Sequence, residues 1–251
     1  MMELVELGGR RYLQFASLRD EAHLRHAFAT RPADVSIRGD GQAPVRAARR
    51  AAMAGDLGLE ADRLHHCVQV HRAQIAVVDE NGPARALDDT DGVVTMIPGL
   101  PVMAFSADCP LVLAYDPVLR VVGLAHASWR CTVARITALL VETMRREYGC
   151  RPDVLRAGIG PGAGPCCYEV REDVYAAAAV LDEFERLFDR RDGRMYFDLW
   201  EANRRQLVAA GVRAERVEVA GLCTMCRGER LYSFRREGAG CGHFGLMAGI
   251  A

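Results

Sequence analysis

Long apolar runs are absent from this chain of 251 residues. None approaches the ~18 consecutive apolar residues that a membrane-spanning helix needs, so a membrane is not expected as a partner. The N-terminal stretch MMELVELGGRRYLQF lacks the basic-then-apolar layout of a secretion signal, and the expected compartment is the cytoplasm. Net charge is nearly absent too. The 32 Lys plus Arg and 33 Asp plus Glu leave −1, which offers no electrostatic case for nucleic acid or an anionic surface. Repeats, low-complexity tracts and Ser/Pro/Gly linkers are missing, so residues 1–251 read as a single domain. What is present is ordinary for a soluble globular chain: 50% hydrophobic and 26% charged residues, enough to bury a core. Nine cysteines, an odd count, fit free thiols, metal ligands or core packing better than a disulfide framework.

Hydrophobic periodicity orders the rest. VRAARRAAMAGDLGL (45–59) has helical density and stops near Gly55 and Gly58. CVQVHRAQIAVV (67–78) alternates at period two and reads as one strand. DGVVTMIPG, PVMAFSADC, LVLAY and RVVGLAHA follow as strands. TVARITALLVETMRREYG (132–149) reads as a helix, with Val133, Ile136, Leu139, Leu140 and Met144 on one side and Gly149 as its stop. VLRAGIG is a further strand, EDVYAAAAVLDEFERLF (172–188) and LWEANRRQLVAAG (199–211) are helices, and RVEVAGLC, LYSFRR and HFGLMAGI close the chain as strands. Strands come in clusters between helices without strict alternation. That predicts an α+β (α/β) fold with mixed β-sheets flanked by helices, not a doubly wound parallel sheet.

Three strand ends carry soft or borderline metal ligands: His71 in QVH, Cys109 in ADC and His126 in AHASWRC. One thiolate and two imidazoles suit zinc, or copper, and three protein ligands leave a fourth position for water. The competing reading is packed core His and Cys residues. Asp108 precedes the cysteine, and Gln69 lies two residues before His71 on the same face of the expected strand; either can orient a ligand. Arg49 and Arg130 are candidate anchors for a polar or anionic substrate group, against surface ion pairing as the alternative. Trp129 either stacks on a flat ring or fills the core. GIGPGAGPCCYEV (158–170) is glycine-rich but lacks the helix opening and the distant acidic residue of a dinucleotide loop, and is better read as a turn. CTMC (223–226) is a lone Cys-x-x-Cys; a zinc ribbon would need two more ligands, for which Cys241 and His243 are the candidates. Cys109 and His126 could also be nucleophile and base of a cysteine hydrolase, a reading that His71 tilts against.

Taken in order, QVH, ADC, AHASWRC, GPGAGPCCYEV and CT followed by LYSFRR, with HAFATRPADVSIRGD (26–40) before them, resemble the multicopper-polyphenol-oxidase-type laccase family. This family is also called the purine nucleoside phosphorylase/adenosine deaminase, or peptidoglycan-editing factor, family. The likeness covers nearly the whole chain. It implies a single laccase-type domain over 1–251 with a cytotoxic-necrotizing-factor-like fold, and a Zn2+ site (Cu2+ as the alternative) held by His71, Cys109 and His126. Through that metal, and with Arg49, Gln69 and Asp108, it implies phosphorolysis of adenosine, inosine, guanosine and methylthioadenosine and hydrolytic deamination of adenosine. Purine nucleosides and phosphate are then the small-molecule partners, with Arg49, Gln69 and Arg130 as substrate contacts. The alternatives are a cell-wall precursor editing amidase using Cys109, or polyphenol oxidation. The last is at odds with the ligand supply, because laccases use a blue copper plus a trinuclear cluster and this chain has seven histidines in all.

The chain departs from the family pattern at several points. Ser128 and Cys131 stand where glycines are usual; if those positions need positive φ, each would strain the turn by roughly 1–2 kcal/mol. Ala48 replaces the polar residue before Arg49, Pro110 and Leu111 are inverted, and Gly242-His243 replaces Gly-Arg, removing a cation.

Overall fold

Successive side chains of a strand face opposite sides of its sheet, so apolar alternation determines how the layers stack. In the computed structural model, which describes residues 2–251, seven strands form one mixed sheet. Their order is β1 (Met2–Leu7), β2 (Arg10–Phe15), β3 (Leu24–Ala29), β16 (Phe244–Ile250), β8 (Val102–Ser106), β4 (His65–Cys67) and β6 (Arg85–Leu87). Six form a second: β15 (Val217–Val219), β11 (Arg156–Ile159), β9 (Leu111–Asp116), β10 (Val121–His126), β7 (Gly92–Thr95) and β5 (Ile75–Val78). A small third sheet holds β12 (Glu169–Val170), β14 (Arg194–Phe197) and β13 (Phe188–Arg191). The expected mixed sheets flanked by helices are what the chain forms.

The two large sheets pack face to face. Phe28, Val102, Ala104, Leu246 and Ala248 from the first meet Val93, Leu111, Leu113, Val122 and Leu124 from the second in one buried cluster. The alternate residues point outward and are covered in turn. Val94, Val112, Ala114 and Val121 lie under α4 (Ile136–Tyr148) and α6 (Leu199–Ala209), touching Ile136, Leu140, Met144 and Leu207. Ala27, Ala29, Met103 and Met247 lie under α2 (Ala43–Asp56), touching Met53 and Ala54. Coverage on both faces explains why all six residues of β9 and of β10 are buried and read as near-continuous apolar runs. Each such Leu or Val contributes about 1.5–3 kcal/mol. Shorter helices complete the chain: α1 (Ala16–Arg19), α3 (Trp129–Val133), α5 (Glu172–Ala178) and α7 (Phe234–Glu237).

Several expectations are corrected. The expected strand 67–78 is broken: the chain leaves the first sheet after Cys67 and joins the second at Ile75, passing through positive φ at His71 (61°) and Ala73 (59°). The expected helix 132–149 is two helices, because Arg135 adopts φ 60° between them; Gly149 does end the second, at φ 73°. Of 172–188 only the first seven residues form α5. LYSFRR is not a strand; Ser233 caps α7 by accepting from the Arg236 amide. Unanticipated is the hairpin β13–β14, although its Asp192-Gly193 turn, with φ 52° and 71°, is a recognisable hairpin signal.

Two predictions follow from this packing. A Cβ on Gly158 would lie 2.5 Å from the Phe15 ring, so Gly158→Ala should destabilise by about 1–3 kcal/mol in urea unfolding; unchanged stability would mean that the sheets can separate at no cost. His26 is buried, and its Nε2 accepts from the Phe15 amide at 3.0 Å. Burial lowers its pKa to about 4, with the Glu218 charge opposing. The unfolded chain takes up this proton below its ordinary value of about 6.5 and the folded chain only near 4. The contribution is therefore complete above pH 6.5 and drains as pH falls, by about 3 kcal/mol in total. The stability difference between pH 7 and pH 4.5 should be smaller in His26→Gln than in the parent protein.

Candidate functional site

At one end of the sandwich the chain crosses between the large sheets three times, after β4, after β6 and after β8, and β10 ends beside these crossings. A strand ladder cannot continue through such a crossing, so side chains there face a common gap instead of a neighbouring strand. The gap is a cavity of about 440 Å³, bordered by His71, Cys109 and His126 together with Gln69 and Asp108. The three candidate ligands thus share one cavity, and the rings of His71 and His126 meet edge to face at 4.9 Å.

Asp91, just before β7, organises this end and was missed by sequence reasoning. It is fully buried. Its Oδ1 accepts from the His71 amide (3.0 Å) and faces His126 Nδ1 (3.2 Å), while Oδ2 accepts from the Arg72 amide (2.7 Å). Its carbonyl accepts from the His126 amide at 2.7 Å. Burial opposes the charge, but the bonds from His126, Arg72 and His71 outweigh it and lower the carboxyl to about 2. An anion on Nδ1 fixes the tautomer and leaves His126 Nε2 free as an acceptor. Burial, then the charges of His126 and Arg130, lower the His71 pKa, which keeps its lone pair available. Burial, with Asp108 nearby, pushes the Cys109 thiol up to about 12. Among the described residues, ligand atoms of Asp91, His126 and Cys131 also lie within 4.8 Å of one another, so the carboxylate and a buried thiol stand directly behind the histidine.

The other expected residues separate. Gln69 borders the cavity, but not from a shared strand face with His71. Its amide clips the crossing to β8, donating to the Phe105 carbonyl (2.7 Å) and accepting from the Phe105 amide (2.8 Å). Asp108, at φ 108°, accepts from Thr224 Oγ1 (2.6 Å) and from the Arg235 amide (2.7 Å), bracing the loop that carries Cys109. Arg49 is exposed on α2 and donates to the Asp34 carbonyl at 3.1 Å. Arg130 lies over the Trp129 ring at 4.3 Å. Neither is part of the cavity lining. The strain expected at Ser128 and Cys131 does not arise: Ser128 has φ −60° and caps α3, its oxygen accepting from the Cys131 amide.

The chain contains no lysine, so every side-chain cation other than histidine is arginine. Two guanidinium groups not anticipated, Arg38 and Arg235, border the cavity with His243 and Tyr168. Arg38 donates to the Cys241 carbonyl, and Arg235 donates to the Glu169 carbonyl (3.0 Å) and lies 5.1 Å from the Tyr168 ring centre. Each keeps further N–H groups for a ligand. The SIRGD and LYSFRR motifs were the available signal, but an arginine in a loop does not reveal which way it faces.

Residues 19–251 match the family model of the multi-copper polyphenol oxidoreductase laccases, and the chain belongs to that family. Among its relatives is a protein of Deinococcus radiodurans named purine nucleoside phosphorylase, 38% identical and spanning 90% of this chain and 88% of its own length. Another, from an unknown prokaryotic organism, is named adenosine deaminase RL5 and is 33% identical over 77% of each chain. The crystal structure of YlmD from Geobacillus stearothermophilus superposes with a TM-score of 0.85 at 25% identity, covering 98% of both chains.

Removing the buried bond to Asp108 tests how the cysteine loop is held. Thr224→Val keeps the shape but leaves one carboxylate oxygen without its donor. It should cost about 1–3 kcal/mol in chemical denaturation; a neutral outcome would mean that the Arg235 amide suffices.

Proposed function

We propose that the chain is a zinc-dependent purine nucleoside enzyme. Its reactions are phosphorolysis of adenosine, inosine, guanosine and methylthioadenosine, and hydrolytic deamination of adenosine. The observation that carries this reading is the carboxylate-oriented His126 sharing a cavity with His71 and Cys109. Two imidazoles kept as acceptors and one thiol form a borderline-soft donor set that suits zinc and also accommodates copper. A thiol raised by burial is one that a bound cation brings back to thiolate. Relatives named purine nucleoside phosphorylase and adenosine deaminase support the substrate class.

His71, Cys109 and His126 would hold the metal, which supplies Lewis acidity and a lowered pKa for water, as hydrolysis at C6 of adenine requires. The chain's own residues do the rest. Asp91, facing His126 Nδ1 at 3.2 Å, would orient the ring so that Nε2 is the atom offered to the metal. Arg38 and Arg235 offer forked donors to phosphate, and Phe105, Tyr168 and Phe234 border the cavity with faces for a purine. In phosphorolysis a phosphate oxygen forms a bond to C1′ as the C1′–N9 bond breaks, and the purine leaves with the bonding pair. We assign phosphate to Arg38 and Arg235 in place of Arg49 and Arg130, which stand outside the lining.

A cysteine hydrolase acting on cell-wall precursors would need Cys109 as a thiolate without a metal, and burial disfavours that. Polyphenol oxidation would need several coppers, where this cavity offers one ligand set.

The test is a nucleoside panel with and without phosphate, reading hypoxanthine, adenine and inosine separately. Adenine should appear only with phosphate, and inosine in either case. Chelation should abolish both, and Cys109→Ala should lose the cavity's zinc together with activity. Asp91→Asn should weaken metal retention about 10–100-fold, read by competition with a chromogenic chelator. Activity that survives chelation but not iodoacetamide would replace this reading with the cysteine hydrolase.

A further inference from the structure

Outside the cavity, four thiols meet that nothing in the proposed reaction uses. Cys223 and Cys226 form the Cys-x-x-Cys, and the partners are not Cys241 and His243, the candidates that sequence proximity suggests. They are the adjacent Cys166 and Cys167, from the glycine-rich loop about sixty residues earlier. All four sulfurs lie within 4.8 Å of one another. Cys226 Sγ is 3.8 Å from Cys166 Sγ and 3.5 Å from Cys167 Sγ. A tetrahedron of sulfurs about 2.3 Å from a central ion has edges of about 3.8 Å, so these separations are those of a tetrathiolate shell. They are well beyond the ~2.05 Å of a disulfide.

The surroundings suit such an ion. The Gly164 amide donates to Cys223 Sγ at 3.4 Å, as amides do to ligating sulfur. Four thiolates around a divalent cation leave two negative charges, and guanidinium groups flank both loops. Arg191 donates to the Pro165 (2.7 Å) and Cys166 (2.8 Å) carbonyls, and Arg236 donates to the Thr224 (3.0 Å) and Met225 (3.1 Å) carbonyls. The backbones of the two loops are otherwise joined at Gly162, whose amide donates to the Leu222 carbonyl (3.3 Å) and whose carbonyl accepts from the Thr224 amide (3.0 Å).

We propose that Cys166, Cys167, Cys223 and Cys226 bind a second, structural zinc ion that staples these two loops. One loop carries Tyr168, and the other leads into Phe234 and Arg235, so the ion sets the position of that wall of the cavity. Cys166 and Cys226 are exposed, which leaves an entry path for the ion from solvent. The inference does not rest on the nucleoside reading, since this ion takes no part in chemistry.

The experiment uses full-length protein purified with reductant and zinc. Cys109→Ala should retain about one zinc per chain, and X-ray absorption should show a shell of four sulfurs at about 2.3 Å. Cobalt substitution of the same variant should give the intense thiolate charge-transfer and ligand-field bands of a tetrahedral sulfur site. In Cys226→Ser this site's zinc and those bands should be lost, while metal held through Cys109 is unaffected. If Cys226→Ser does not fold, the absorption measurement on Cys109→Ala decides alone. The proposal is overturned if no sulfur-only metal shell forms in reduced protein, if Cys226→Ser keeps every metal equivalent, or if peptide mapping finds Cys226 in a disulfide with Cys166 or Cys167. Loss of catalysis with the four-sulfur shell intact would count against the nucleoside reading only.

Discussion

A buried carboxylate at the end of the sandwich sets the geometry of everything around it. Asp91 accepts from the amides of His71 and Arg72 and faces His126 Nδ1, so one charge ties a sheet-to-sheet crossing to the last residue of β10. Ionised carboxylates survive in a protein interior only when their acceptor sites are filled. Here the filling groups are the very ones that present two imidazoles to the cavity. The positive φ of His71, uncommon for a residue with a side chain, fits the same logic: the two amide bonds to Asp91 hold the turn in a conformation it would not otherwise prefer.

The fold supplies the gap that these groups fill. Two sheets packed face to face leave their strand ends open at the edge, and crossings between them deliver side chains from distant parts of the chain to one place. Loops then close the cavity from the far side. The Asp108 bracket holds the cysteine crossing to the 220s loop through Thr224 and to α7 through the Arg235 amide. The four-cysteine cluster joins the same 220s loop to the glycine-rich loop. Both devices fasten the 220s loop, so its position is set by contacts between residues far apart along the chain.

Legibility followed the range of the interactions involved. His71, Cys109 and His126 could be singled out because each is a ligand-type residue near the end of an apolar run, and run ends are visible locally. Gln69 was placed on a strand face because QVH alternates correctly, yet the chain leaves its sheet there to bond with Asp91, which lies 20 residues from His71. Asp91 itself is the first residue of the expected strand DGVVTMIPG, directly after the acidic run LDDT, and nothing local marks its carboxylate as buried. LYSFRR has strand composition, but the Ser233 cap and the Asp108 bond to the Arg235 amide draw it into a helical turn. Ser128 looked like a liability in a glycine's place and is a helix cap instead, because its backbone never needed positive φ.

What the amino-acid order determined by itself was the set of buried segments: near-continuous apolar runs along β9, β10 and β16 and helical spacing in α4 and α6 dictate mixed sheets covered by helices, since a strand packed on both faces needs apolar residues at successive positions. It also determined the motifs that mark the family. Which charged and sulfur-bearing side chains meet was decided only by the tertiary structure. Asp91 with His126, Asp108 with Thr224, and Cys166 with Cys226 are single contacts between residues 35, 116 and 60 positions apart. A single long-range contact leaves no periodic trace in the chain, so it exists only once the sheets have packed.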